Sequence, residues 1–82
     1  MAPKLFDEQG YRALFYAHEE ARMHVHVMRD GGEIKVWLEP AIEIAALRGR
    51  RMTAKETREV IELVKAHEHE IRKAWQLFFS KC

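Results

Sequence analysis

The sequence predicts an α+β domain in which a three- to four-stranded antiparallel sheet packs on one long C-terminal helix. Three patterns predict it. Residues 23–28 and 33–39 alternate apolar with polar side chains, and Arg29-Asp30-Gly31-Gly32 between them supplies the Asp-Gly and Gly-Gly pairs that tight hairpins favour. Thr53-Ala54-Lys55-Glu56 has the form of a capping box, in which the threonine caps a helix start and the glutamate reaches back to it. Beyond it Val60, Ile61, Val64, His67, Ile71, Trp75 and Phe78 recur every three or four residues, one apolar stripe on a helix spanning about residues 54–79.

In chain order, residues 1–10 form a lead-in ending at Gln9-Gly10, with Lys4-Leu5-Phe6 as a candidate short strand. Residues 11–17 are aromatic-rich and predict a strand. Residues 18–22 are polar and predict a loop. Residues 23–29 and 33–39 are the two strands of the hairpin, and Pro40 ends the second because it cannot donate to a ladder. For 41–47 two readings stay open. The alternating isoleucines favour a further strand, whereas Pro40 and the alanines favour a short helix. Arg48-Gly49-Arg50-Arg51 reads as a solvated loop before the helix, or as a local basic patch. A helix of residues 54–79 is roughly 40 Å long, against about 23 Å for a seven-residue strand. It must overhang the sheet, bend, or pack on a second copy.

Eighty-two residues fit a single domain, 1–82. At this size the core is marginal, and the single cysteine, Cys82, excludes an internal disulfide. Helix–sheet packing or a partner chain must supply the stability. With 14 basic and 13 acidic residues the formal net charge is +1, so no global field draws the chain to nucleic acid, and any such contact needs a local patch. No apolar h-region follows Met1, and no stretch approaches the ~20 apolar residues of a membrane span. These features predict a cytoplasmic protein without a membrane partner.

Side chains alternate across a strand, which divides the hairpin into two faces. Val25, Val27, Ile34, Val36 and Leu38 form the apolar face that seats the helix. His24, His26, Met28, Lys35, Trp37 and Glu39 form the other. A two-residue turn at Asp30-Gly31 or at Gly31-Gly32 preserves this division, whereas a three-residue turn mixes the faces. The first strand adds Arg12, Leu14 and Tyr16 to the second face and Tyr11, Ala13 and Phe15 to the core. The expected patch away from the helix is therefore Arg12, Tyr16, His24, His26, Lys35, Trp37 and Glu39. His67 lies on the apolar stripe and reads as a core histidine bonded to a backbone carbonyl or to Tyr11; His69 faces solvent.

Histidines titrate near neutrality and act as general acids and bases. His24 and His26 are thus candidate catalytic residues for RNA cleavage, with Arg12 or Lys35 as the cation. Trp37 and Tyr16 are candidate stacking platforms for unpaired bases, with Arg12, Lys35 and Glu39 completing a nucleic-acid or partner contact. A metal centre would need Glu39 or His18 beside the two histidines, and zinc takes three or four ligands; with only two ligands placed, neither a metal nor a cofactor is expected. A non-catalytic interaction module, binding a partner protein or forming a homodimer through its exposed aromatics or its long helix, is the alternative.

The same residues carry a family resemblance. Gly10-Tyr11-Arg12 with Phe15-Tyr16, His24-Val25-His26-Val27, Gly32-Glu33 with Lys35, Trp37-Leu38-Glu39-Pro40, Ile42-Glu43-Ile44-Ala45 and a closing helix with Trp75 and Phe79 resemble domain of unknown function 4160. The resemblance covers nearly the whole chain. It departs before the first histidine, where many members place prolines and this chain has Ala21-Arg22-Met23. It implies a small prokaryotic or phage-borne protein, encoded beside a second small protein that is its cognate partner, in a toxin–antitoxin-like pair. It carries over no catalytic residue.

Overall fold

In a computed structural model, which describes residues 4–16 and 21–79, five strands precede two helices. They are β1 (Lys4–Glu8), β2 (Tyr11–Leu14), β3 (His24–Arg29), β4 (Gly32–Trp37), β5 (Glu43–Gly49), α1 (Ala54–Ala66) and α2 (Glu68–Phe79). The strands form one antiparallel meander in the order β1-β2-β3-β4-β5. The α+β class holds, with two corrections. The sheet has five strands rather than three or four, and the single long helix is two helices meeting at His67.

The added strand is the N-terminal one, which extends the candidate Lys4-Leu5-Phe6 to Glu8. Glu8 pairs with Tyr11, so Gln9-Gly10 is a two-residue turn with φ of 55° and 82°. Both values lie in the left-handed region that such hairpin turns demand. Glutamine is not a residue that advertises it. The central turn is the one that the Asp-Gly pair announces: Arg29 pairs with Gly32, and Asp30 and Gly31 have φ of 47° and 85°. Residues 41–47 resolve in favour of a strand, shifted to Glu43–Gly49. The expected strand at 11–17 is regular only over Tyr11–Leu14, and Ala17 lies outside the described residues.

The two-residue turns keep the faces segregated. Tyr11, Ala13, Phe15, Val25, Val27, Ile34, Val36 and Leu38 are all fully buried on one side of the sheet. Val60, Leu63 and Val64 of α1 and Ile71 and Trp75 of α2 meet them. α1 lies over β4 and α2 over β1. At the far end Phe15 is enclosed by Trp75, Phe78 and Phe79, with ring centroids 5.2, 6.1 and 5.7 Å away. Tyr11 sits at the opposite end with its hydroxyl donating to Glu59 at 2.6 Å and accepting from Arg29 at 2.9 Å.

Two polar clamps join the layers. The first is built on Arg50, from the run that composition alone left as loop or basic patch. Its guanidinium donates to the Asp30 and Arg29 carbonyls at 2.8 and 3.1 Å and forks onto both carboxylate oxygens of Glu56 at 3.2 and 3.1 Å. Glu56 is also the capping-box residue, accepting from the Thr53 backbone N–H at 2.8 Å while Thr53 Oγ1 accepts from the Glu56 N–H at 3.0 Å. One carboxylate thus ties the central hairpin turn to the start of α1. Close contact is needed here: Gly49 has φ of 70°, and a Cβ on it would run into the Gly31 carbonyl oxygen.

The second clamp is His67, at the junction of α1 and α2. It is half-buried, and its partners are neither a backbone carbonyl nor Tyr11. Nδ1 donates to Glu70 at 2.7 Å, Nε2 donates to Glu8 at 2.9 Å, and the ring stacks on Phe6 at 4.7 Å. The histidine pins edge strand β1 to the point where α1 ends and α2 begins. Neither proline nor glycine marks that point, so the helical stripe reads as continuous in the sequence.

Both clamps titrate, with opposite signs. The Arg50 guanidinium, aided by the Thr53 N–H, lowers the Glu56 carboxyl from 4.5 to about 2. A carboxyl lowered by folding stabilises the native state above its unfolded value, and that contribution disappears as pH falls from 4.5 toward 2. Thermal unfolding followed between pH 5 and pH 2 is expected to show a steep loss of Tm that is shallower in Glu56→Gln; identical slopes would exclude the clamp. Glu8 first, and Glu70 next, raise the His67 imidazole above its ordinary 6.5. Its contribution is fully present below 6.5 and is lost as pH rises through the raised value. The drop in Tm between pH 6 and pH 9 is therefore expected to shrink in His67→Gln.

Candidate functional site

The sheet face opposite the helices carries Arg12, Leu14 and Tyr16, then His26 and Met28, then Glu33, Lys35 and Trp37. The register sets them side by side, with His24 across from Trp37, His26 across from Lys35 and from Leu14, and Arg12 across from Met28. Alternation about the Asp30-Gly31 turn groups the β3 and β4 residues, and the β2–β3 register adds Arg12 and Leu14 to them.

His24 and His26 are not displayed as the alternation suggested. His24 is 0% exposed and His26 5%. His24 opens β3, and its Nδ1 donates to the Arg22 carbonyl at 2.6 Å, which fixes the proton on that nitrogen. Its ring lies edge-on to three others: Trp37 at 5.5 Å, His26 at 5.2 Å and Trp75 of α2 at 5.2 Å. It therefore bridges the open face and the helix layer. His26 is covered by the Tyr16 ring at 4.2 Å, and its Nδ1 lies 2.8 Å from Glu33 Oε2. The Tyr16 hydroxyl donates to the other oxygen of the same carboxylate at 3.1 Å. Glu33 thus orients both a histidine and a tyrosine.

Trp37 is half-buried and carries two cations. The Arg22 guanidinium carbon lies 4.0 Å and Lys35 Nζ 4.6 Å from its ring centroid, both within the range of a cation–π contact. Arg22 also donates to the Glu39 carbonyl at 2.6 Å and approaches Glu43 at 3.6 Å. Arg12 is exposed and lies 3.9 Å from Asp7.

Glu39 leaves the patch. The strand stops at Trp37, so the two-residue parity that assigned Glu39 to this face no longer applies. Its carboxylate instead accepts from Arg72 of α2 at 2.6 Å, while Arg72 also donates to Glu68 at 2.8 Å and to the Leu38 carbonyl at 2.9 Å. Glu39 so serves the helix layer, away from the two histidines. His18, the other candidate ligand, lies outside the described residues, and among the described residues no three His, Cys, Asp or Glu side chains gather as a metal set.

Sequence reasoning missed Glu33 and Arg22. Glu33 shares the parity of Lys35 and Trp37 and was legible on that ground. Arg22 lies in an irregular segment, where no period assigns a direction to its side chain.

As a chemical unit the cluster is a set of tightly held rings beneath an aromatic–cationic surface. Replacing His24 by alanine removes a fully buried ring from between two tryptophans and is expected to destabilise the fold by about 2–4 kcal/mol in denaturant titration. A loss under about 0.5 kcal/mol, the range of surface substitutions, would contradict the packing role.

No helix among the described residues is long and apolar enough to cross a membrane. No curated protein and no solved structure matches the chain significantly. The family model described as a domain of unknown function, DUF4160, matches residues 10–76, a span that takes in the hairpin, the open face and most of both helices. The chain belongs to the DUF4160 family.

Proposed function

We propose that the protein is a cytoplasmic RNA-contacting module, one component of a toxin–antitoxin-like two-gene pair, and that Trp37 is the centre of its contact surface. The observation that carries this reading is a half-buried tryptophan on the sheet face away from the helices, with Arg22 and Lys35 against its ring. Unpaired bases stack on such rings, and neighbouring cations take the phosphates. Tyr16 and Arg12 extend the surface along β2. His24 and His26 act beneath it, holding Trp37 and Tyr16 in place, and Glu33 completes that support. Burial of both imidazoles favours binding over cleavage, since a general base must reach the 2′-hydroxyl proton. Glu39 takes no part.

A partner-binding module without catalytic activity is the second reading. What favours it is the apolar outer strand, where Ile44 and Leu47 are 39% and 64% exposed.

Titration of a short single-stranded RNA, followed by anisotropy, separates the two. Base stacking is worth about 1–3 kcal/mol per base, so Trp37→Ala is expected to weaken binding at least about fivefold. Lys35→Ala is expected to weaken it less and to flatten its salt dependence. Unchanged affinity in both variants, with folding confirmed by circular dichroism, would overturn the RNA reading. RNA breakdown that disappears in His26→Ala would restore the histidines to a catalytic role.

A further inference from the structure

The two edges of the sheet differ in kind. β1 ends in exposed Asp7 and Glu8, charges of the sort that discourage strand addition. β5 is seven residues long, and its central run Ile44-Ala45-Ala46-Leu47 contains neither charge nor proline.

Its side chains have an unusual order. Val36 pairs with Ile44 and Lys35 with Ala46, so Ala45 is an extra residue, a β-bulge. In a regular strand residues three apart point to opposite faces. Here the bulge brings Ile44 and Leu47 to the same, helix-side face, opposite the fully buried Val36 and Ile34. Glu43, Ala46 and Arg48 go to the open face, opposite Trp37, Lys35 and Glu33.

We infer that β5 is the interface through which two copies of this chain associate, antiparallel, into one continuous ten-stranded sheet. A two-fold axis perpendicular to the sheet, passing between the Ala45-Ala46 pairs, sets Ile44 against Leu47 of the second copy and Glu43 against Arg48 of the second copy. The apolar pair forms on the helix side and the ion pair on the open side, each occurring twice. Charge decides the occupant. The strand carries its acid at one end and its base at the other; among the described residues Arg48 makes no side-chain ion pair within the chain, and Glu43, which meets Arg22 through Oε1 at 3.6 Å, keeps its other oxygen for a second cation. The bulge decides it too, because a plain strand cannot match two same-face side chains three residues apart, whereas a second β5 repeats that spacing. The alanines at the axis keep side-chain bulk out of the closest backbone approach. Because a perpendicular two-fold axis preserves the faces, both Trp37 surfaces lie on the same side of the joined sheet. The inference does not depend on what Trp37 binds.

Sedimentation equilibrium on the full chain tests it. The wild type is expected to be a dimer at about 100 μM and to dissociate on dilution, as small interfaces do. Glu43→Arg alone sets arginine against Arg48 of its copy, and Arg48→Glu alone sets glutamate against Glu43; each is expected to be monomeric at that concentration. An equimolar mixture of the two variants restores both ion pairs and is expected to recover the dimer as a heterodimer. Misfolding within either chain could not be rescued by mixing. A monomeric wild type, variants that dimerise like wild type, or a mixture that stays monomeric would each overturn the assignment. RNA titration of the same samples reports separately: dimers that bind no RNA overturn only the reading of the Trp37 face.

Discussion

The direction of every side chain in the central hairpin is set at the Asp30-Gly31 turn. With two residues in the loop, the valines of β3 and the Ile34–Val36 pair of β4 fall on one side and the histidines, Lys35 and Trp37 on the other. A loop longer by one residue would send Trp37 into the core and Val36 to solvent. The turn is correspondingly well held. Arg50 takes the carbonyls of Arg29 and Asp30, Gly49 lets the backbones come together, and Glu56 fastens the assembly to the cap of α1. A single carboxylate therefore participates in strand register and in helix initiation. Arginine suits the task because its planar fork holds both Glu56 oxygens and two carbonyls at once, more acceptors than the three N–H bonds of a lysine ammonium can take.

What could be read from the residues was whatever a period or a turn residue encodes. Strict alternation gave the hairpin and its two faces, and the Thr53–Glu56 spacing gave the start of α1. The opposing core positions on β2 and β4 followed from the same parity. What could not be read depends on contacts distant in sequence. β1 was legible only as the candidate strand Lys4-Leu5-Phe6; Gln9-Gly10 carries little turn signal, and the place of the strand in the sheet rests on pairing with β2. The junction at His67 has no breaker residue, and what fixes it is a carboxylate 59 residues away in β1.

Burial of the candidate site shows the same limit. Alternation says which face a histidine points to, but not whether anything covers that face. Tyr16 and Glu33 close over His26 from neighbouring strands, and Trp75 reaches His24 from the end of α2. Parity also fails where a strand ends, which is why Glu39 was assigned to the wrong side. The open face is thus less a row of independent functional groups than a thin surface of Trp37, Lys35, Arg22 and Arg12 over a built support.

His24 joins that surface to the helix layer. The imidazole touches Trp37 on the outer side and Trp75 on the inner side, so the only two indoles of the protein are separated by one ring. Phe15 and Phe79 pack in turn against Trp75, so one imidazole joins the ring cluster of the outer face to the ring cluster that closes α2. The two sides of the sheet thus share a continuous run of ring contacts rather than being separated by the strand backbone.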